Sequence, residues 1–129
     1  MNARTTILWG TIFAFLAVAL GAFGAHAWQG LLETNATEDI FETASEYHFI
    51  HALALLWLGL YRRDLSKKQD QYLTIATYLL ITGTLIFSGS LYYLAISNLH
   101  WLGAITPIGG LFLLCAWLMI GLNLLKQRD

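Results

Sequence analysis

Charge is what this sequence has least of: Asp, Glu, Lys and Arg make up 12% of its 129 residues, against roughly 25% in an ordinary soluble domain. With 57% hydrophobic residues and a mean hydropathy of +0.60, the chain has too little polar surface to enclose a water-soluble core, so it requires an apolar solvent. Proline is nearly missing, with Pro107 the one instance, and long helices can therefore run without an imposed break. Cysteine is reduced to Cys115, inside an apolar run. That excludes an intramolecular disulfide and fits a small core residue. A net charge of -1 supplies none of the basic field that nucleic acid demands, so nucleic acid is not an expected partner.

What the sequence does have is four long apolar runs, at about 7–27, 41–61, 72–96 and 105–125. Each reaches the ~20 residues a helix needs to cross a bilayer core. A closed β-barrel, the other spanning solution, needs short strands of alternating polarity, whereas Ala52-Leu-Ala-Leu-Leu-Trp-Leu58 is apolar throughout. The expected fold is all-α, a four-helix transmembrane bundle forming a single domain over residues 1–129. Arg4, an apolar stretch and Ala25-His26-Ala27 imitate a cleavable signal peptide. The stretch approaches 20 residues, beyond the ~7–15 of a signal core, and is read as a span.

Lys and Arg are absent from two connections, 28–40 and 97–104. All seven basic residues fall on the other side: Arg4; Arg62, Arg63, Lys67 and Lys68; Lys126 and Arg128. Short cytoplasmic connections collect basic residues, so both termini are expected in the cytoplasm. Acids Glu33, Glu38, Asp39, Glu42 and Glu46 surround the first outer connection. Thr106 before Pro107 reads as an N-cap with proline at the first helical position, and Asn35 or Thr37 before Glu38 and Asp39 reads as another cap. Gly10, Ala14, Ala17 and Gly21 form a small-residue face on the first helix and predict close packing on the third. Gly83, Ser88, Gly89 and Ser90 in the third helix, and Gly109, Gly110 and Gly121 in the fourth, read the same way.

Topology gathers most remaining polar residues into the outer half. His26 ends the first helix; Glu42, Glu46, Tyr47, His48 and His51 lie on the second; Ser88, Ser90, Tyr92 and Tyr93 approach the end of the third; and Thr106 opens the fourth. No comparable set is expected in the cytoplasmic half. His51 is eleven residues from Arg62, or ~16 Å, which puts it near the midplane. Ionisable groups at that depth are expensive and face a bundle interior or a cavity. The candidate ligand-binding set is therefore His26, Glu46, Tyr47, His51, Ser88, Ser90, Tyr92 and Thr106, centred on His51. His48 and His51 at i, i+3 could offer two metal ligands, but without a third no metal or cofactor is expected.

The stretches Gly21-Ala-Phe-Gly-Ala-His26, Phe41-Glu-Thr-Ala44, His51-Ala-Leu-Ala-Leu55, Ser88-Gly-Ser-Leu-Tyr92 and Gly103-Ala-Ile-Thr-Pro-Ile-Gly-Gly110 resemble the YgdD-like bacterial inner-membrane proteins (UPF0382), a domain of unknown function (423) with small eukaryotic transmembrane relatives. The resemblance covers all four helices and implies an inner-membrane location, but brings no catalytic residue, substrate or cofactor. His48 departs from the pattern, where Gln is expected, and so does Ala44, where Gly is common.

Together these readings predict an integral membrane protein that is not an enzyme. It would be a binding or assembly module whose outer-leaflet polar site holds a lipid-like ligand or a partner protein. The alternative is a small oligomeric transporter or proton pathway using intramembrane His and Glu. Its expected partners are the lipid bilayer and a membrane protein or a second copy of the chain.

Overall fold

A computed structural model of the protein describes residues 1–126, and Arg128 lies outside the described residues. The described chain is helical, without strands. Helix α1 (Ala3–Ala25) starts where Asn2 Oδ1 accepts from the Thr5 N–H at 2.8 Å, satisfying one of the donors a helix start leaves open. A short helix α2 (Gln29–Asn35), which the sequence reading did not expect, occupies the connection between the first two long helices. Then come α3 (Glu38–Tyr61), α4 (Lys67–Ser97) and α5 (Thr106–Lys126), with 3-10 turns at Arg62–Asp64 and His100–Ala104. Ser66 and Gln69 close a reciprocal capping box at the start of α4.

Three helical segments are long and apolar enough to cross a membrane: Ala3–Ala25, Lys67–Ser97 and His100–Lys126. Helix α3, at 24 residues, has the length, but Glu46, His48 and His51 dilute its apolar content.

Helices α3 and α4 form the centre, with α1 against α3 and α5 against α4. The expected pairing of the first and third long helices is thus corrected: the Gly10 face is used, but on α3. The reason is reciprocity. A Cβ on Gly10 would lie 2.8 Å from the Leu56 nitrogen, and one on Gly59 would lie 2.9 Å from the Ile7 nitrogen. Each helix supplies a glycine where the other's backbone passes, which is how helices without a hydrophobic drive approach closely. Gly83 and Gly109 do the same between α4 and α5, whereas Gly89 and Gly121 face open space and are not packing devices.

Phe13, Leu55, Leu58, Leu73, Leu80 and Leu113 belong to the main core, and Leu32, Phe41, Ala44, Tyr92 and Ala95 form a smaller one. Thr37 holds the N-cap position of α3 as expected, but its side chain makes no cap bond, and both Asn35 and Thr37 act as ties instead. The Asn35 Nδ2 donates to the Ala95 and Ile96 carbonyls at 3.1 and 3.2 Å, and Thr37 Oγ1 to Ala95 at 2.7 Å. Carbonyls in the last turn of α4 lack intrahelical donors, which makes them the stronger attraction.

Candidate functional site

Helical geometry divides the polar half away from the termini in two. His48 and His51 are three residues apart on α3 yet open into different clefts, because α3 is wedged between its neighbours. The first cleft, about 490 Å³, runs between α3 and α5 over Phe87 and is lined by Tyr47, His51, Pro107, Leu114 and Trp117 among others. His51 is 4% exposed, and both ring nitrogens are engaged: Nδ1 lies 2.6 Å from the Tyr47 carbonyl and Nε2 accepts from Trp117 Nε1 at 3.1 Å. An indole nitrogen can only donate, so Nε2 is the acceptor and the proton sits on Nδ1. The inward-facing His51 expected from its depth is observed. Tyr47, expected to point inward with it, is instead 41% exposed at the cleft edge, its ring 4.4 Å from that of Phe87.

The second cleft, about 170 Å³, separates α1 from α4 and is lined by Phe13, Leu16 and Leu20 on one side and Thr84, Leu85, Ser88, Gly89 and Tyr92 on the other, with His48 from α3. His48 Nδ1 pairs with Tyr92 Oη at 3.1 Å, and the Phe13 ring packs edge-on against the imidazole at 5.6 Å. Ser88 is 2% exposed and, among the described residues, its hydroxyl is the buried side-chain polar atom with no hydrogen-bond partner. Most helical serines and threonines here return their proton to a carbonyl of the preceding turn, as Thr84 does to Leu80 at 2.7 Å. Ser88 does not.

The rest of the candidate set is dispersed. Ser90 and Thr106 face each other at 2.6 Å, tying α4 to the start of α5, so Thr106 serves as a helix tie beyond its expected place at the helix start. Glu46 is exposed on the outside of α3, and His26 is exposed at the end of α1; neither joins the His51 cluster.

The end that carries the exposed Lys and Arg was expected to be apolar below its charges and is not. Arg62, taken from sequence as a loop cation, is 2% exposed. Its Nε donates to Asp70 Oδ1 at 2.8 Å, Nη1 to the Thr6 and Thr77 hydroxyls at 2.9 and 3.0 Å, and Nη2 to the Met1 carbonyl and Thr74 hydroxyl at 2.6 and 2.5 Å. All five guanidinium protons are thereby satisfied. The sequence did hold a signal, in three threonines at the basic ends of two apolar runs, where a fork of donors needs acceptors.

Trp117 was also missed. Nine residues from Lys126, or ~13 Å along the helix, it sits too deep for the interface and needed an acceptor.

The family model described as "Protein of unknown function (DUF423)" matches residues 20–110, which include His48, His51 and Ser88 but not Phe13, Leu114 or Trp117 of the cleft walls. The chain belongs to this family. Members of known sequence include the UPF0382 membrane protein YwdK of Bacillus subtilis, 39% identical over 91% of this chain and 93% of its own length. The UPF0382 membrane protein SERP0230 of Staphylococcus epidermidis is 41% identical over 95% and 97%. The UPF0382 inner membrane protein YgdD of Escherichia coli is 34% identical over 99% and 96%. The chain is thus a membrane protein of the DUF423 family, whose function is not established. No solved structure matches it.

Proposed function

We propose that this DUF423 protein crosses the inner membrane four times with both termini in the cytoplasm. In this reading it is a binding module holding a lipid-like molecule, an apolar body with one hydrogen-bonding group, in the cleft between α1 and α4. The crossing is supported by α3 lying packed between helices long and apolar enough to span, and the orientation by exposed Arg4, Arg63, Lys67, Lys68 and Lys126 gathered at one end. The observation carrying the binding reading is the Ser88 hydroxyl. A buried hydroxyl without a partner costs ~1–3 kcal/mol, and a ligand oxygen or amide entering the cleft would remove that cost. The apolar walls suit a hydrocarbon body. His51, by contrast, has both nitrogens committed, which leaves it no free lone pair for proton transfer and argues against catalysis or a proton pathway at that position.

Native mass spectrometry of gently extracted protein tests this. The wild type should carry a bound lipid-like mass that Ser88→Ala loses while its thermal unfolding stays unchanged or rises. A bare oligomer would favour the transport reading, and undiminished retention by Ser88→Ala would reject this cleft.

A further inference from the structure

At the opposite end of the molecule a third cleft, about 130 Å³, opens between α4 and α5 and is lined by Lys68, Gln69, Tyr72, Asn123 and Lys126. None of the five is acidic, and Asp70, the nearby carboxylate on α4, is bound by Arg62. Helix α5 has 21 residues, ~31 Å, which matches the ~30 Å bilayer core. Lys126, in its last turn, therefore stands at the membrane boundary whichever way the protein faces. Lys68 borders the same cleft and shares that level. One turn deeper lie Tyr72 and Asn123. The latter is 5% exposed, with Oδ1 accepting from Tyr61 Oη at 3.4 Å, and its amide N–H groups have no acceptor among the described residues. Leu122 and Leu125 are exposed beside them on α5.

The tiers are ordered as in a phospholipid: cations at the phosphate level, neutral donors at the ester level, and apolar surface below. A free anion would use the first tier alone. We infer that the α4–α5 cleft at the lysine-bearing end binds an anionic phospholipid, with Lys68 and Lys126 on the phosphate and Asn123 on a glycerol ester carbonyl. Basic clefts between membrane helices have the charge and depth for such headgroups.

The test uses full-length protein in neutral detergent with equal phosphatidylglycerol and phosphatidylcholine, read by native mass spectrometry. Phosphatidylglycerol should be retained preferentially. A basic side chain near an anionic lipid is worth roughly fivefold, so Lys68→Gln with Lys126→Gln should cut retention about thirty-fold, and Asn123→Leu should weaken it without removing the charge preference. Arg63→Gln with Lys67→Gln, which removes two exposed cations outside the cleft, should change it by less than about fivefold. Equal retention of the two lipids, or equal losses in the two double variants, would overturn the proposal. Inorganic phosphate binding with the same lysine dependence in the absence of lipid would overturn the lipid assignment in favour of a soluble anion. Circular dichroism of each variant separates loss of binding from loss of fold.

Discussion

At the scale of single residues, magnitudes separate two buried polar groups that look alike in sequence. A hydrogen bond between helices in a membrane averages ~0.6 kcal/mol, so the His51–Trp117 bond is a modest fastener. Trp117→Phe should still cost ~1–3 kcal/mol, because Nε2 of His51 is then left buried without a donor. Adding His51→Leu should recover part of that loss, which a double-mutant cycle in thermal melts would reveal. Arg62 is a different case, since one side chain serves Met1, Thr6, Asp70, Thr74 and Thr77. Asp70 keeps 32% side-chain exposure, so the ion-pair share of the cost of removing Arg62 falls below the ~3–5 kcal/mol of a fully buried pair, and the main cost is its lost charge-assisted hydrogen bonds, ~1.5–3 kcal/mol each. Arg62→Leu should therefore lower the melting temperature markedly, and Arg62→Lys should rescue little, because a single ammonium cannot fork to five acceptors.

At the scale of helices, the elements were legible in sequence while their neighbours were not. Four apolar runs gave the four long helices to within a few residues at most ends, because length and hydropathy are properties of the segment itself. The start of α4 lay earlier, at Lys67, since the capping box of Ser66 and Gln69 extends the helix through a polar stretch. Which helix the Gly10 face meets depends on a matching face elsewhere, and Gly59 supplies it. The direction of each polar side chain was likewise not legible, since it too depends on which helices lie alongside, and His48 and His51 part into separate clefts. Direction also decides which glycines matter. Gly109→Ala would drive a Cβ into the Phe87 and Gly83 backbone, with an overpacking cost of ~1–3 kcal/mol. Gly89→Ala, with open space around it, should leave the melting temperature unchanged or raise it, as alanine is the better helix former. Equal effects of the two would refute the close approach of α4 and α5.

At the scale of the whole molecule, the proposed orientation predicts accessibility. In a Cys115→Ala background, needed because Cys115, expected in the core, is instead exposed, Ser66→Cys should resist a membrane-impermeant maleimide in intact cells and react once the membrane is opened. Labelling of intact cells would reverse the orientation. The fastenings of the bundle also impose an order on its assembly. At one end Arg62 bonds Met1 and Thr6 within the N-terminal half but draws its other partners, Asp70, Thr74 and Thr77, from α4; at the other, Asn35 and Thr37 close on Ala95 at the far end of the same helix. As the chain is synthesised from its N-terminus, the α1–α3 hairpin forms with neither latch complete, because Asp70, Thr74, Thr77 and Ala95 are not yet made. Helix α4 is thus the last bolt of a door hung earlier, and a nascent chain stalled before residue 97 should be the form that membrane proteases clear.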